Sequence, residues 1–234
     1  MINAFYIRIG DFGQEATTIE SLMGILPGPV HEKLKKISNP ANRYRSAMGE
    51  ILTRYAIQSV SGINTGDLVV EIGPNGKPFL TSHPQIHYNI SHSGEYVVCA
   101  VAKVNLGIDV ERIRDVNFRV AERYFSKAEL ADLMKYEPYE RRDYFFTLWT
   151  IKESYLKALG KGLTKSLSSF TVRKDRKKYH LTGEDLAVGY SVFNSSLPGN
   201  YMISLCYENK AQQVDLKELS LNDIIRLFSE VENH

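Results

Sequence analysis

Cysteine is scarce in this chain: Cys99 and Cys206 are the only two among 234 residues, and each lies in a segment predicted to be a strand. Two isolated thiols exclude the disulfide framework of a small secreted protein. The lack of CxxC pairs and of cysteine–histidine clusters also removes the usual sequence pattern of a zinc site. A reducing cytoplasm is therefore the expected setting.

An excess of one charge and long apolar runs are missing as well. Lys and Arg total 29 against 27 Asp and Glu, and a formal net charge of +2 argues against a general nucleic-acid binder. No apolar stretch reaches the length of a membrane span, and the first residues lack the basic start and apolar run of a signal peptide. We expect a soluble, unprocessed protein that binds neither nucleic acid nor membrane, in which any electropositive patch is local.

The length of 234 residues and a hydrophobic content of 43% suffice for one large domain or two small ones with a sizeable core. The predicted elements run strand, helices, strands, and then repeat that order. This pattern predicts an α+β protein built from two similar halves that meet near residue 105. We assign residues 1–105 to the first half and residues 106–234 to the second.

The stretch from Gly107 to Glu111 predicts a strand with two acids on one face. Because side chains alternate along a strand, Asp109 and Glu111 project to one side about 7 Å apart, and Ile108 and Val110 take the other side. Two carboxylates that close repel each other unless a cation joins them. Such oxygen ligands suit Mg²⁺, which completes its shell with water and phosphate oxygens. An exposed strand with a polar face is the equally acceptable alternative.

A helix is predicted from about residue 144 to residue 159, closed by Gly160 and Gly162. At the helical period its apolar stripe consists of Phe145, Leu148, Trp149, Leu156 and Leu159. Lys152 falls within that stripe, so its ammonium group must extend to solvent or meet an anion. Glu153 and Lys157 are four residues apart and can form an ordinary intrahelical ion pair.

Basic residues concentrate between Lys33 and Arg54, where six Lys or Arg accompany one acid, Glu50. They lie on a short helix predicted for residues 30–37 and on a longer helix from residue 40 to about residue 60. A solvated helix face commonly explains such charge, and an anion site is the alternative. The preceding segment, rich in Gly and Pro and ending at Pro29, predicts a loop.

Turn signals mark the middle of the chain. Asn75-Gly76 between two apolar runs predicts a β-hairpin, and Lys77 emerges directly beyond its tight turn. Ser91-His92-Ser93 predicts a loop before a buried strand at residues 96–102, and a lone histidine such as His92 is more often structural than functional.

The remaining segments complete the α+β pattern. Ser126 and Glu129 have the spacing of a capping box and predict a helix that ends at about residue 135. Strands are predicted at residues 168–172, 190–193 and 201–207, and a capped helix begins at Ser220.

Two segments together resemble a known family. Gly107–Glu111, followed about forty residues later by Trp149–Lys157, is similar to the signature pair of 4′-phosphopantetheinyl transferases, in their long, monomeric, Sfp-type branch. Supporting matches, in the same order and spacing, are Gly76-Lys77-Pro78, Asn89–Ser93, Arg123–Ser126 and Gly160–Leu163. The matching segments span roughly residues 43 to 172.

The resemblance implies two pseudo-symmetric α+β halves with coenzyme A in the cleft between them. It implies transfer of the phosphopantetheine arm to a serine of an apo acyl or peptidyl carrier protein. Asp109, Glu111 and Glu153 are expected to hold Mg²⁺, with Mn²⁺ as a substitute, and the catalytic set is Asp109, Glu153 and Lys157. Glu153, directly or through a water, is the expected general base.

The first half is expected to hold the adenosine portion and its 3′-phosphate, and the second half the metal site. By resemblance, the residues that contact coenzyme A are Lys33, Arg45, Lys77, Pro78, Ser91, His92, Lys152 and Lys157. Lys35 or Lys36 can take the place of Lys33, because the match there depends on spacing alone. Arg119 and Arg123 are a candidate receiving surface for an acidic carrier protein.

Two other function classes compete with the transferase. Another Mg²⁺-dependent phosphoester enzyme, such as a nuclease, can use the same acids, but it needs a basic track that the near-neutral charge does not favour. A catalytically silent module that binds coenzyme A or a carrier protein is the second alternative. The intact acids and Lys157 speak against it.

Overall fold

The computed structural model describes residues 1–10, 12–160, 165–176, 178–184, 186–187, 189–209 and 213–231. The strands are β1 (Ile2–Arg8), β2 (Val70–Ile72), β3 (Pro78–Leu80), β4 (His87–Ser93), β5 (Tyr96–Ala102), β6 (Leu106–Arg112), β7 (Thr171–Asp175), β8 (Lys178–Thr182), β9 (Tyr190–Leu197), β10 (Tyr201–Glu208) and β11 (Val214–Leu219). The helices are α1 (Phe12–Met23), α2 (Gly28–Lys35), α3 (Pro40–Ser61), α4 (Arg119–Tyr124), α5 (Lys127–Leu133), α6 (Pro138–Leu159) and α7 (Leu221–Val231).

Two larger sheets organise the described chain. The first sheet has the strand order β11-β1-β5-β4 and the second has the order β6-β10-β9. Within them only the β1–β11 pair is parallel. The hairpins β2–β3 and β7–β8 form separate two-stranded sheets. Helices and sheets are both present in this arrangement, so the predicted α+β class is confirmed.

The long helix α3 has clear start and stop signals. The Asn39 side chain accepts a hydrogen bond from the Asn42 amide at 3.0 Å, and Pro40 occupies the first turn, where its missing amide hydrogen costs nothing. Gly62 ends the helix with a φ of 72°, a left-handed conformation that glycine adopts without strain.

Apolar clusters join these elements into layers. One face of the first sheet packs against α1, α2, α3 and α7, with Ile51 and Leu52 fully buried in α3. The other face contributes Ile2, Ala4 and Val98 to a cluster that also contains Ile108 and Val110 of β6. The predicted alternation of β6 is therefore present: its apolar side chains face the first sheet, and its acids face away from that cluster.

Helix α6 packs on the remaining face of β6, and Gly107 permits the contact. A Cβ atom at Gly107 would overlap the Ser154 carbonyl and the Ala158 amide of the helix. Any side chain there would push the helix away from the strand. The first residue of the Gly107–Glu111 segment thus brings the helix that carries Glu153 against the strand that carries the acids.

Four predictions of secondary structure differ from the structure. The strand predicted at residues 168–172 begins only at Thr171, because residues 167–169 form a 3-10 turn. The segment predicted as a loop ending at Pro29 contains α1, and α2 begins at Gly28. Helix α6 begins at Pro138 rather than near residue 144, because proline is well suited to a first helical turn. The Ser91-His92-Ser93 segment lies in β4 rather than in a loop.

The end of the chain returns to the first sheet. Strand β11, which we assigned to the second half, pairs with β1, and Ile224 and Phe228 of α7 lie in the core of the first half. The division of the chain at residue 105 stays a prediction, and residues 214–231, predicted to belong to the second half, pack with the first sheet. None of the described helices has both the length and the apolar character that a bilayer span requires.

Candidate active site

Strand β6 and helix α6 bring the predicted catalytic residues together. Lys157 Nζ lies 2.7 Å from Asp109 Oδ1 and donates to the Ser91 hydroxyl at 3.0 Å. It also donates to the Ile108 carbonyl at 3.1 Å. The predicted intrahelical pairing of Lys157 with Glu153 gives way to a contact between α6, β6 and β4. One ammonium group therefore ties the helix to the acid strand.

Asp109 has one oxygen engaged and one unpaired. Its Oδ1 accepts hydrogen bonds from Lys157 and from Ser91, the latter at 2.9 Å. Its Oδ2 is buried and lacks a hydrogen-bond partner within the described residues. Leaving a buried carboxylate oxygen unsatisfied is costly, so this atom indicates a position where a cation or a donor is expected.

Glu111 and Glu153 share the same negative environment. Burial raises the pKa of Glu153, and the charges of Asp109 and Glu111 raise it further, while Lys157 opposes them. Burial also raises the pKa of Glu111, the hydrogen bond from Ser93 lowers it, and Asp109 raises it. Asp109 therefore acts on both glutamates, and Glu153 is in addition affected by Glu111, so negative charge is concentrated at this point of the structure.

The carboxylates do not yet surround a common point. Over the residues that the structure describes, no three Asp, Glu, His or Cys side chains form a ready metal cluster. Lys157, Ser91 and Ser93 hold the acids instead. The donor set still fits a hard divalent ion, because it offers carboxylate oxygens only, with one buried oxygen already unsatisfied.

A cavity of about 240 Å³ lies beside this group. Its lining includes Lys77, Pro78 and Lys157, three of the residues predicted to contact the ligand. A larger cavity of about 520 Å³ lies between Met1, Val60 and Lys103, and none of its lining residues belongs to the acid group. The three acids line neither cavity, but Lys157, which pairs with Asp109, lines the smaller one, and we therefore place the candidate site there.

The residues predicted for the adenosine side are only partly gathered. Although part of His92 is exposed, burial lowers its pKa, and the nearby charges of Arg45 and Lys157 lower it further. Arg45 donates to the Gly94 carbonyl at 3.1 Å, in the turn that follows His92. Lys33 lies exposed on α2. Its role, like those of Lys35 and Lys36, stays a prediction.

Lys77 bonds to both β6 and α6 at the edge of the cavity. Its Nζ donates to the Leu106 carbonyl of β6 and to the Ala158 carbonyl of α6, both at 3.0 Å. Burial lowers the pKa of Lys77 to about 8, because these neutral carbonyls do not replace a counter-charge. Lys77 therefore touches the same helix and strand as the acids, while its contact with a ligand stays a prediction.

Lys152 does not face the site, which corrects the prediction that it binds the ligand. Its side chain is fully buried, and its Nζ pairs with the equally buried Glu129 at 2.9 Å. It also donates to the carbonyls of Leu167 and Phe170 at 2.8 and 2.7 Å. Burial lowers the pKa of Lys152, and Glu129 opposes that effect. The anion expected next to Lys152 from its place in the apolar stripe is therefore the carboxylate of Glu129, not a ligand.

Sequence reasoning missed two kinds of residue. Asn89 and Ser93 of β4 bond to β6, and Glu129 neutralises Lys152. Polar residues at every second position of 89–93 are a signal that can reveal the first group. Nothing local marks Glu129 as the partner of Lys152, because the capping-box pattern accounts for it fully. The matching segment Gly160–Leu163 lies, beyond Gly160, outside the described residues.

Known proteins match this chain over most of its length. Residues 15–104 match the family model of the N-terminal part of 4′-phosphopantetheinyl transferases, and residues 105–206 match that of the 4′-phosphopantetheinyl transferase superfamily. The 4′-phosphopantetheinyl transferase Sfp of Bacillus subtilis strain 168 is 36% identical over 154 residues, covering 66% of this chain and 69% of the relative. The 4′-phosphopantetheinyl transferase psf-1 of Bacillus pumilus is 34% identical over 189 residues, covering 80% and 81%.

Among solved structures, the holo-[acyl-carrier-protein] synthase of Thermotoga maritima is 25% identical, covers 47% of this chain and 65% of its own, and has a TM-score of 0.41. The sequence relatives carry the assignment, because their identity extends over more than two thirds of their own length. On that basis, the chain belongs to the 4′-phosphopantetheinyl transferase superfamily.

Proposed function

We propose that this protein transfers the 4′-phosphopantetheine arm of coenzyme A to a serine of an apo acyl or peptidyl carrier protein and releases adenosine 3′,5′-bisphosphate. Membership of the family supports the reaction class. The observation that carries the proposal is Asp109, held by Lys157 through one oxygen and left with a buried, unpaired second oxygen. This arrangement suits a site completed by a cation and a phosphate.

The proposed cation is Mg²⁺, with Mn²⁺ able to replace it. Asp109, Glu111 and Glu153 would hold it, because hard divalent ions prefer carboxylate oxygens, and the charge of Asp109 raises the pKa of both Glu111 and Glu153. When bound, such an ion neutralises charge on the pyrophosphate and stabilises the departing phosphate.

Lysine, arginine and histidine side chains would hold the rest of coenzyme A. Lys157 lies next to the carboxylates and can donate a charge-assisted hydrogen bond to a pyrophosphate oxygen. The charges of Arg45 and Lys157 both lower the pKa of His92, so the three side chains lie near one another, and His92 and Arg45 are proposed to face the 3′-phosphate. Lys77 and Pro78, which line the 240 Å³ cavity, and Ser91, which bonds to Lys157, would contact the nucleotide, and Lys33 is the outermost proposed contact.

Glu153 is the proposed general base. The carrier serine oxygen attacks the phosphorus that bears the pantetheine arm and forms a new P–O bond. The bond from that phosphorus to the bridging oxygen breaks, and its electron pair leaves with adenosine 3′,5′-bisphosphate. The serine proton passes to Glu153, directly or through a water.

The carrier protein is proposed to dock on α4. Arg119 and Arg123 are exposed there, the Arg123 guanidinium lies 5.4 Å from the centre of the Tyr124 ring, and Val120 exposes an apolar side chain between them. Carriers are typically acidic around the modified serine, so charge complementarity would speed and orient the encounter. We place this activity in a monomer in the cytoplasm, where the free thiols of Cys99 and Cys206 stay reduced.

The direct test incubates the purified protein with coenzyme A, Mg²⁺ and apo carriers from fatty-acid, polyketide and peptide synthesis. Mass spectrometry should detect one phosphopantetheine increment on at least one carrier. An absence of the increment on every carrier, in a preparation that binds coenzyme A, would instead identify a silent binding module. Omitting Mg²⁺ and adding a chelator should remove the increment if the metal assignment is right.

A further inference from the structure

Side chains join the two large sheets where their edge strands meet. Strand β4 ends the first sheet and β6 ends the second, and among the described strands no backbone pairing links them. Three amides of β6 donate instead to three side chains of β4: Ile108 to Asn89 at 2.9 Å, Val110 to Ser91 at 3.4 Å and Arg112 to Ser93 at 3.1 Å.

The spacing of these bonds follows from strand geometry. Side chains on one face of a strand recur every second residue, and so do the amides along one edge of its neighbour. An acceptor at each of positions 89, 91 and 93 therefore meets the amides of residues 108, 110 and 112 in register. We call this row of bonds the β4–β6 ladder.

The two serines of the ladder also hold the acids. The Ser91 hydroxyl donates to Asp109 Oδ1 at 2.9 Å, and the Ser93 hydroxyl donates to Glu111 Oε2 at 2.7 Å. A hydroxyl has a single hydrogen, and accepting the Arg112 amide leaves that of Ser93 free to point at Glu111. The Ser93 hydroxyl thus donates to the Glu111 side chain and accepts from the next amide along β6, that of Arg112.

We infer that Ser93 is a positioning residue for the metal site, holding the Glu111 carboxylate beside Asp109 in the orientation needed for joint binding of a divalent ion. Glu111 experiences the repulsion of Asp109 and is only partly buried, so a restraint is needed to keep it from turning toward solvent. Partners behind a metal ligand commonly fix its orientation in this way. The inference is based on the proposed function, because it assumes that Glu111 binds the ion.

The test measures Mn²⁺ binding to the full-length protein by electron paramagnetic resonance, in the presence of coenzyme A. We expect Ser93→Ala to weaken Mn²⁺ binding by about 10-fold or more, the range seen when such partners are removed. Ser93→Thr keeps a hydroxyl on a strand-compatible side chain and should restore affinity. Ser195→Ala is the matched control, because this β9 serine donates only a long 3.4 Å hydrogen bond to the Ser196 carbonyl.

A second readout separates positioning from general loosening of the fold. The Mn²⁺ concentration at half-maximal activity should rise for Ser93→Ala, whereas the apparent KM for the carrier protein should stay unchanged. If Ser93→Ala does not fold, Ser93→Cys keeps the side chain's size with a weaker donor and should show an intermediate loss of affinity.

The outcomes distinguish this inference from the proposed function. A wild-type protein that binds no Mn²⁺ contradicts the metal assignment itself. If the wild type binds Mn²⁺ but Ser93→Ala binds it with the same affinity, the role of Ser93 is wrong and the metal assignment stands. The same conclusion applies to Ser93→Cys where that variant is used.

Discussion

Lys152 and Lys157 lie five residues apart on α6 and meet different surroundings. The ammonium group of Lys152 is fully buried, pairs one-to-one with Glu129 and donates to two further carbonyls. The side chain of Lys157 is partly exposed and its ammonium group faces Asp109, and the charges of Asp109 and Glu111 both raise the pKa of nearby Glu153. One region has matched charges with their hydrogen bonds made, and the other has an excess of negative charge.

This comparison distinguishes a charge pair that stabilises the fold, Lys152 with Glu129, from the charged group around Asp109, which is suited to binding a ligand. Around Lys152 the protein completes every requirement itself, so no external ion is needed. Around Asp109 a buried oxygen remains unpaired, and burial with like charges raises the pKa of Glu153. Charge and burial alone do not predict function, because both lysines are charged and both are largely buried. The two sites differ in whether every buried polar atom has a partner, and the unpaired oxygen of Asp109 is what indicates a ligand site.

The largest expected effect is on stability. Lys152→Met leaves the Glu129 carboxylate buried without its cation, and we expect a loss of about 3–5 kcal/mol in the free energy of unfolding. Urea denaturation measures it. The double variant Lys152→Met/Glu129→Gln removes both charges, while the amide introduced at position 129 can still cap α5, and it should recover much of the loss. A single variant as stable as the wild type would show that the buried pair is not the constraint described.

The next effect is on activity alone. Asp109→Ala should reduce carrier modification by about 100-fold or more, since metal binding contributes several kcal/mol to such reactions. The measurement is the initial rate of holo-carrier formation, with circular dichroism to check the fold. Asp115→Ala is the matched control, because the Asp115 side chain is fully exposed and pairs only at the surface with Arg142. Equal rates for the two variants would contradict the proposed metal site.

A smaller effect on stability is expected from removing the negative charge of Glu153. The raised pKa of Glu153 means that its ionised form is disfavoured in the folded, metal-free protein. Glu153→Gln should therefore raise the thermal midpoint at neutral pH by roughly 2–4 °C, the shift that about 1 kcal/mol produces at this size. The advantage should shrink as the pH falls through the raised pKa toward the ordinary value of 4.5, because the wild type then becomes neutral as well.

The same variant should lose activity and should no longer gain stability from Mg²⁺. Differential scanning fluorimetry with and without Mg²⁺, in the presence of coenzyme A, compares the two proteins. If Mg²⁺ stabilises Glu153→Gln as much as the wild type, Glu153 does not hold the ion.

Local patterns predicted the elements that carry the site. The alternation of residues 107–111, the turn at Asn75-Gly76 and the capping box of Ser126 with Glu129 all reappear in the structure. Each of these depends on neighbours within a few residues, which is the range over which backbone and side-chain geometry act directly. The Trp149–Lys157 segment likewise lies on α6 as expected.

Longer-range pairings could not be predicted in the same way. The stripe position of Lys152 demanded an anion, but the choice between a ligand and Glu129 depends on how α5 packs against α6. The return of β11 to β1 depends on a parallel pairing between the two ends of the chain. Helix α1 was missed because Gly and Pro near its ends outweighed a weak apolar pattern, and packing against α3 stabilises it.

The most direct test of the account is a crystal structure of the protein grown with Mn²⁺ and coenzyme A, with anomalous scattering used to locate the metal. We predict one Mn²⁺ ion held by the carboxylates of Asp109, Glu111 and Glu153, next to the pyrophosphate of coenzyme A. An ion bound elsewhere, or a Glu153 carboxylate outside the coordination shell of that ion, would contradict the account.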